Sequence, residues 1–230
     1  SNPTLTTDIT EKAFYTEQAT EFTFTTTAGT QENAMVLGSF TLLDEGGADA
    51  QSAVKTLEYW DVSGNCYREF YGDFGPATTG FPLTDATSKF RVTFKDAGKY
   101  TVKAAMINFA DRSVLVSAED ATITVKSYKS ELTTDIDTKT FVNNTEVEFT
   151  YTTTANAQAN TMVLGTFSVL DSNSNDAQSC IKKLEYWDVT GNCYREFYGD
   201  FGPATTGFPL TDATSKFRVT FSKAGTYTVN

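Results

Sequence analysis

Histidine is absent from this 230-residue chain. That removes the usual proton shuttle of Ser/His/Asp and Cys/His mechanisms and the commonest zinc ligand. Cysteine is scarce, at positions 66, 180 and 193. Cys66 and Cys193 share one position of an internal repeat, while Cys180 faces Ala53. The first copy therefore cannot form an internal disulfide, and the thiols are expected to serve as small buried hydrophobes. Basic residues are outnumbered, 18 against 29 acidic ones, for a formal charge of −11. A surface of that sign repels nucleic acid and anionic membranes, and no nucleic-acid partner is expected. Apolar runs stay far below the roughly 20 residues of a membrane helix, so no membrane insertion is expected. No signal peptide is visible, and Ser1-Asn2 reads as a processed or engineered start.

What is present is enough for packed cores, with 40 % hydrophobic and 13 % aromatic residues. It is also present twice. "LTTDI" (5–9) returns at 132–136, "MVLG" (35–38) at 162–165 and "FRVTF" (90–94) at 217–221, each 127 residues on. Leu57–Phe94 matches Leu184–Phe221 at 37 of 38 positions, Ser63 against Thr190 being the one change. The expected organisation is a domain over 5–126, a linker at 127–131 and a second domain over 132–230. Asn230 aligns with Lys103, so the second copy has no counterpart of 104–126. It reads as lacking its C-terminal strands, through truncation of a longer array or strand exchange with another chain.

Period-two alternation with Thr, Val, Phe and Tyr dominates, and helical periodicity is nearly missing. Strands are expected at 20–28, 34–43, 53–61, 66–72, 88–94, 99–107 and 121–126. Seven short strands in one repeat indicate an all-β, antiparallel β-sandwich. "DAGKYTV" (96–102) and "KAGTYTV" (223–229) have the spacing of an immunoglobulin-type tyrosine corner, with Tyr100 and Tyr227 opening strand F. Val102 and Val229 stand where antibody domains carry a cysteine.

The near-invariant block opens with "EYWDVSGNCYREFYGDFG" (58–75). Asp61 and Gly64 fit positions i and i+3 of a type I turn, Gly64 taking positive φ in a three-residue loop. That register sets Glu58 opposite Arg68 as an ion pair, Tyr59 opposite Tyr67 and Trp60 opposite Cys66. Trp60, Cys66 and Phe70 then form the core face. Leu57, Tyr59, Tyr67 and Tyr71 form the other, a half-exposed row able to stack on sugar rings or meet a protein. The candidate ligand-binding residues are thus Tyr59, Tyr67 and Tyr71, with Tyr186, Tyr194 and Tyr198 in the second copy. The structural alternative is that these rings only cover the sandwich edge. The following loop, 72–90, is expected to cross between sheets, pinned by Phe74 and Phe81.

Glu58, Asp61, Glu69, Asp73 and Asp85 recur as Glu185, Asp188, Glu196, Asp200 and Asp212. A glycosidase needs two carboxylates across a cleft, one with a raised pKa, and a solvated hairpin and loop supply composition only. No catalytic residue and no cofactor is expected. "LDSNSNDAQ" (170–178) has the oxygen spacing of a calcium loop at Asp171, Asn173, Asn175 and Asp176. The first copy puts Gly46 and Ala48 at the asparagine positions, so a polar turn without metal is expected.

Taken together, "EFTFTTTA", "MVLG", "FGPATTGFPLTDATSKFRVTF" and "AGTYTV" resemble Ig-like repeats of long extracellular proteins from Gram-positive, often gut-dwelling, bacteria. The resemblance covers nearly the whole repeat. It implies an extracellular or cell-surface array of stalk, spacer or adhesion modules, with a host or cell-wall glycan or protein as partner. The rival function is a carbohydrate-binding module using the tyrosine face.

Overall fold

The Phe/Thr alternation of "TEFTFTTT" sends Phe22, Phe24 and Thr26 to one side of a strand and Thr23 and Thr25 to the other. The first three are at most 1 % exposed. The structure, a computed structural model, describes residues 1–30, 35–72, 80–158, 163–199 and 207–230. The chain divides into two compact units, Ser1–Tyr128 and Lys129–Asn230. Among the described residues, helix occurs only as three-residue 3₁₀ turns.

Unit 1 holds β1 (Thr4–Thr7), β2 (Phe14–Tyr15), β3 (Thr20–Thr27), β4 (Val36–Leu43), β5 (Val54–Asp61) and β6 (Cys66–Glu69). They are followed by β7 (Ala86–Phe94), β8 (Gly98–Asn108), β9 (Val114–Ser117) and β10 (Ala121–Lys126). One sheet runs β1-β3-β7-β5-β6 and the other β2-β10-β8-β4, with β9 also on β8. The pairing of β2 with β10 is parallel, while their neighbours run antiparallel. This is the immunoglobulin partition, strands A, B, E and D in one sheet and A′, G, F and C in the other. The expected all-β sandwich is formed. β1, β2 and β9 are too short to show as alternation in the sequence.

Between the sheets, Phe22 stacks on Phe90 (5.5 Å), Phe24 meets Phe81 edge-on (4.8 Å), and Phe40 of β4 approaches Phe22 and Phe70 from the facing sheet. Phe81 is buried at 1 % exposure, but β6 and β7 belong to one sheet, so the expectation of a loop crossing between sheets is corrected. Phe74, Asp73 and Asp200 lie outside the described residues. The tyrosine corner is closed: the Tyr100 hydroxyl donates to the Asp96 carbonyl at 2.9 Å, and its ring stacks on Phe94. Gly98 suits the corner through its φ of +156°, a conformation that L side chains rarely adopt. Tyr227 repeats the bond to the Lys223 carbonyl at 2.9 Å.

Unit 2 contains β11 (Glu131–Thr134), β12 (Val147–Thr154), β13 (Val169–Leu170), β14 (Ile181–Asp188), β15 (Cys193–Glu196), β16 (Ala213–Phe221) and β17 (Thr228–Val229). Its first sheet keeps the order β11-β12-β16-β14-β15, and β13 pairs with β17. Phe149, Phe167, Phe197, Phe208 and Phe217 form its core. The three thiols are free and half-buried, which corrects the expectation of buried ones. Cys66 and Cys193 open edge strands, where one flank of the side chain meets solvent.

Candidate functional site

The repeated block forms the β5–β6 hairpin, and its turn departs from the expected recipe. Asp61 pairs with Cys66, leaving Val62–Asn65 as a four-residue loop. Asn65, at φ +51°, takes the left-handed position, not Gly64; asparagine tolerates it by hydrogen-bonding locally. A Cβ at Gly64 would lie 2.8 Å from Arg68 Nη2 and 2.9 Å from Asp61 Oδ2, so a side chain there would displace the Arg68–Asp61 pair. Asp61 ties the loop by accepting the Gly64 N–H at 3.2 Å and Arg68 Nε at 2.6 Å.

One extra loop residue shifts the register by one, and such a shift exchanges the two faces of a strand. Glu58 therefore stands opposite Glu69, and Tyr59 opposite Arg68. The expected Glu58–Arg68 pair does not form; Arg68 goes to Asp61. The expected core face is divided too: Phe70 is buried beside Leu57, whereas Trp60 and Cys66 are half-buried. The tyrosine row is likewise split. Tyr59 turns inward and packs edge-on against Phe70 at 6.5 Å. Tyr67 turns outward beside Trp60, ring centroids 5.1 Å apart. Tyr71, past the end of β6, is 84 % exposed. In unit 2, Tyr186 packs on the core, Tyr194 pairs with Trp187, and Tyr198 is equally exposed.

The outward face is completed by residues that the sequence reading passed over. In "SKFRVTF", Phe90 and Val92 point into the core, so Lys89 and Arg91 stand outside. Lys89 Nζ lies 4.4 Å over the Trp60 ring, and Arg91 Cζ lies 4.1 Å over that of Tyr67. Arg91 donates two 2.9 Å bonds to Glu58, and the Tyr67 hydroxyl donates to Glu21 at 2.7 Å. Side chains of β3, β7, β5 and β6 are thereby fastened into one strip. Unit 2 repeats it with Lys216 over Trp187, Arg218 over Tyr194 and onto Glu185, and Tyr194 onto Glu148. There Glu146 reaches Arg218 and Lys183 reaches Glu185, where unit 1 has Ala19 and Thr56. The available signal was alternation: two cations on the polar side of a strand, beside a strand with Trp and one with Tyr.

The electrostatics fit a closed network. Burial, and then the bond to Glu21, push the Tyr67 hydroxyl up to about 12, and Tyr194 follows with Glu148. Arg68 holds the Asp61 carboxyl below its usual range, Arg195 does the same to Asp188, and Arg218 to Glu185. A glycosidase acid needs the opposite shift. Glu69 accepts the Tyr71 hydroxyl, and Asp85 accepts the Ala28 N–H at 3.0 Å. In the acidic loop, Asp171 Oδ1 accepts the N–H groups of Asn173 and Asn175, as Asp44 accepts that of Ala48. These are turns closed on their own aspartates. Among the described residues, no three Cys, Asp or Glu side chains converge as a metal site.

No protein-family model and no curated protein matches the chain. Among solved structures, it is similar to the C-terminal domain of the Streptococcus agalactiae antigen I/II polypeptide BspA, at 12 % identity and a TM-score of 0.35, over 99 % of this chain and 96 % of that one. AvmM, an enzyme of macrocyclization in alchivemycin A biosynthesis, is similar over 54 % of this chain and 87 % of its own, at 11 % identity and 0.34. The D0-D1 domain of intimin is similar at 14 % identity and 0.30, over 98 % and 88 %. At such scores, function has to be read from the side chains and strands themselves.

Proposed function

We propose that the chain is a non-catalytic, immunoglobulin-like tandem module of an extracellular or cell-surface protein of Gram-positive bacteria, serving as a stalk or spacer that carries load. The parallel pairing of β2 with β10 supports this reading most directly, Phe14 facing Val125 and Tyr15 facing Lys126. These are an early and the last strand of unit 1, side by side and pointing the same way. Tension on the two ends of the unit slides them past each other, so their hydrogen bonds are loaded together and not one by one. Thr16 N–H to the Lys126 carbonyl (2.9 Å) and Tyr128 N–H to Thr16 Oγ1 (3.2 Å) extend the contact. Among the described residues no helix is long and apolar enough to cross a membrane.

Adhesion belongs to the same proposal at a different place, the β5–β6 hairpin, where Val62 in the turn and Tyr71, past the opposite end of β6, are 79 % and 84 % exposed. These offer an apolar contact to a protein partner. The faces that Trp60 and Tyr67 turn to Lys89 and Arg91 are covered, so a sugar-stacking row draws no support from this face. Single-molecule stretching of the whole chain tests the load-bearing reading. Unit 1 should open in one high-force event, and Thr16→Pro, which removes the N–H that donates to the Lys126 carbonyl, should lower that force. Low-force opening in both proteins would sink the stalk reading.

A further inference from the structure

Strand β10 alternates strictly, burying Ala121, Ile123 and Val125 and leaving Thr122, Thr124 and Lys126 exposed. Its neighbours extend the exposed side: Thr101 stands opposite Thr122, Lys99 opposite Thr124, and Tyr15 of β2 opposite Lys126. Opposed residues of paired strands share one face of a sheet. Three strands of unit 1 therefore present threonines and lysines together with one tyrosine. This face belongs to the other sheet of the sandwich from the β5–β6 hairpin, away from the strip held by Arg91. On a chain of formal charge −11, it is a basic exception that can draw an anion.

Along β2 and β10 the surface dips into a cavity of about 310 Å³, lined by Thr10, Lys12, Tyr15, Thr122, Thr124 and Lys126. Among the described residues no carboxylate lines it. The Lys126 ammonium has no ion-pair partner and the Tyr15 hydroxyl no hydrogen-bond partner among those residues. Lys12 lies 3.5 Å from Asp8 Oδ2, a long contact that leaves ammonium protons to spare, and Asp8 Oδ1 is taken by the Thr23 N–H at 2.7 Å. Lys103, farther along β8, is by contrast closed by Asp120 at 2.8 Å. Two cations with spare donors, three threonine hydroxyls and a half-buried tyrosine thus meet at one cavity.

We propose that this cavity is a binding site for an acidic saccharide, a sugar ring bearing a carboxylate or sulfate group. The anionic group lies between Lys12 and Lys126, whose ammonium groups donate charge-assisted hydrogen bonds to it. The ring hydroxyls pair with Thr10, Thr122 and Thr124, each of which can donate and accept. Tyr15 adds an apolar ring surface with a polar tip, the combination that suits a sugar. An inorganic anion would use the lysines and leave the threonine hydroxyls idle. An extended acidic peptide binds a sheet best along a free strand edge, and β10 is paired on both sides.

Calorimetric titration of the whole chain at about 0.15 M salt tests this, with tetragalacturonate and a sulfated tetrasaccharide as probes. Neutral maltotetraose and a tetraglutamate peptide serve as references. Saturable binding of at least one acidic sugar is expected, and the probe that binds identifies the anionic group. Lys12→Gln combined with Lys126→Gln should weaken it about tenfold or more. Lys182→Gln, which removes an exposed lysine of unit 2, should leave it unchanged. Both lysines of the double variant reach solvent, and an unaltered thermal midpoint checks that it folds. Amide shifts on binding should centre on Tyr15 and residues 122–126 while β5 and β6 stay still. Failure of both acidic sugars to bind, equally tight binding of tetraglutamate or maltotetraose, or undiminished binding by the double variant would each overturn the proposal.

Discussion

Arg91 spans two interactions at once: its guanidinium carbon lies 4.1 Å over the ring of Tyr67 while its nitrogens hold Glu58 through two 2.9 Å bonds. The first contact reaches the edge strand β6 and the second the strand next to it, so one side chain of β7 fastens the hairpin to the sheet. A cation over a ring near the surface contributes about 0.5–1 kcal/mol, and a partly exposed ion pair about as much. Arg91→Ala should therefore cost unit 1 about 1–2 kcal/mol. Core amides of β5 and β7 should then exchange about five- to thirtyfold faster, with those of β14 and β16 as internal reference. Unchanged exchange would mean that the strip contributes nothing.

The corner at Tyr100 makes a separate prediction. Its hydroxyl bond to the Asp96 carbonyl is the only difference that Tyr100→Phe removes, and one net hydrogen bond is worth about 1 kcal/mol. Tyr227→Phe in unit 2 should cost less, because that hydroxyl lies on a half-exposed ring. Denaturant midpoints of the two single variants compare them directly, and a larger loss for Tyr227→Phe would contradict this account.

Glu17 sits at φ +63°, a left-handed conformation that costs an ordinary side chain about 1 kcal/mol or more. The repeat places Asn144 at the same position, also at +62°. Glu17→Asn should raise the stability of unit 1 by about 0.5 kcal/mol, and Glu17→Gly by a similar amount. The Lys55–Glu17 pair lost in the process is exposed on both sides and offsets little. A fall in the thermal midpoint on Glu17→Asn would show that pair to matter more than the backbone.

Alkaline pH should weaken both units through Tyr67 and Tyr194. Each has a folded pKa raised from 10.0 to about 12. With the folded value above the unfolded one, their contribution is complete below pH 10 and is lost as pH rises towards 12. Tyrosinate absorbance followed alongside circular dichroism should show a late component in this window. The double variant Tyr67→Phe with Tyr194→Phe should lack it, and an unaltered titration curve would rule out these two hydroxyls as its source.

The sequence alone determined the all-β class, the repeat of 127 residues and the tyrosine corner, because each rests on local pattern. Alternation of Phe with Thr assigns the faces of β3 whatever lies across from it, and the spacing A-G-x-Y brings the hydroxyl back to its own corner. What only the tertiary structure decided was the hairpin register and the partners of its rings. In "DVSGN" both Gly64 and Asn65 can take a left-handed conformation, and the choice of Asn65 lengthens the loop by one residue. That single residue sends Tyr59 inward and Trp60 outward. The cations over Trp60 and Tyr67 come from β7, more than twenty positions along the chain, and meet them only because the sheet places β7 beside β5.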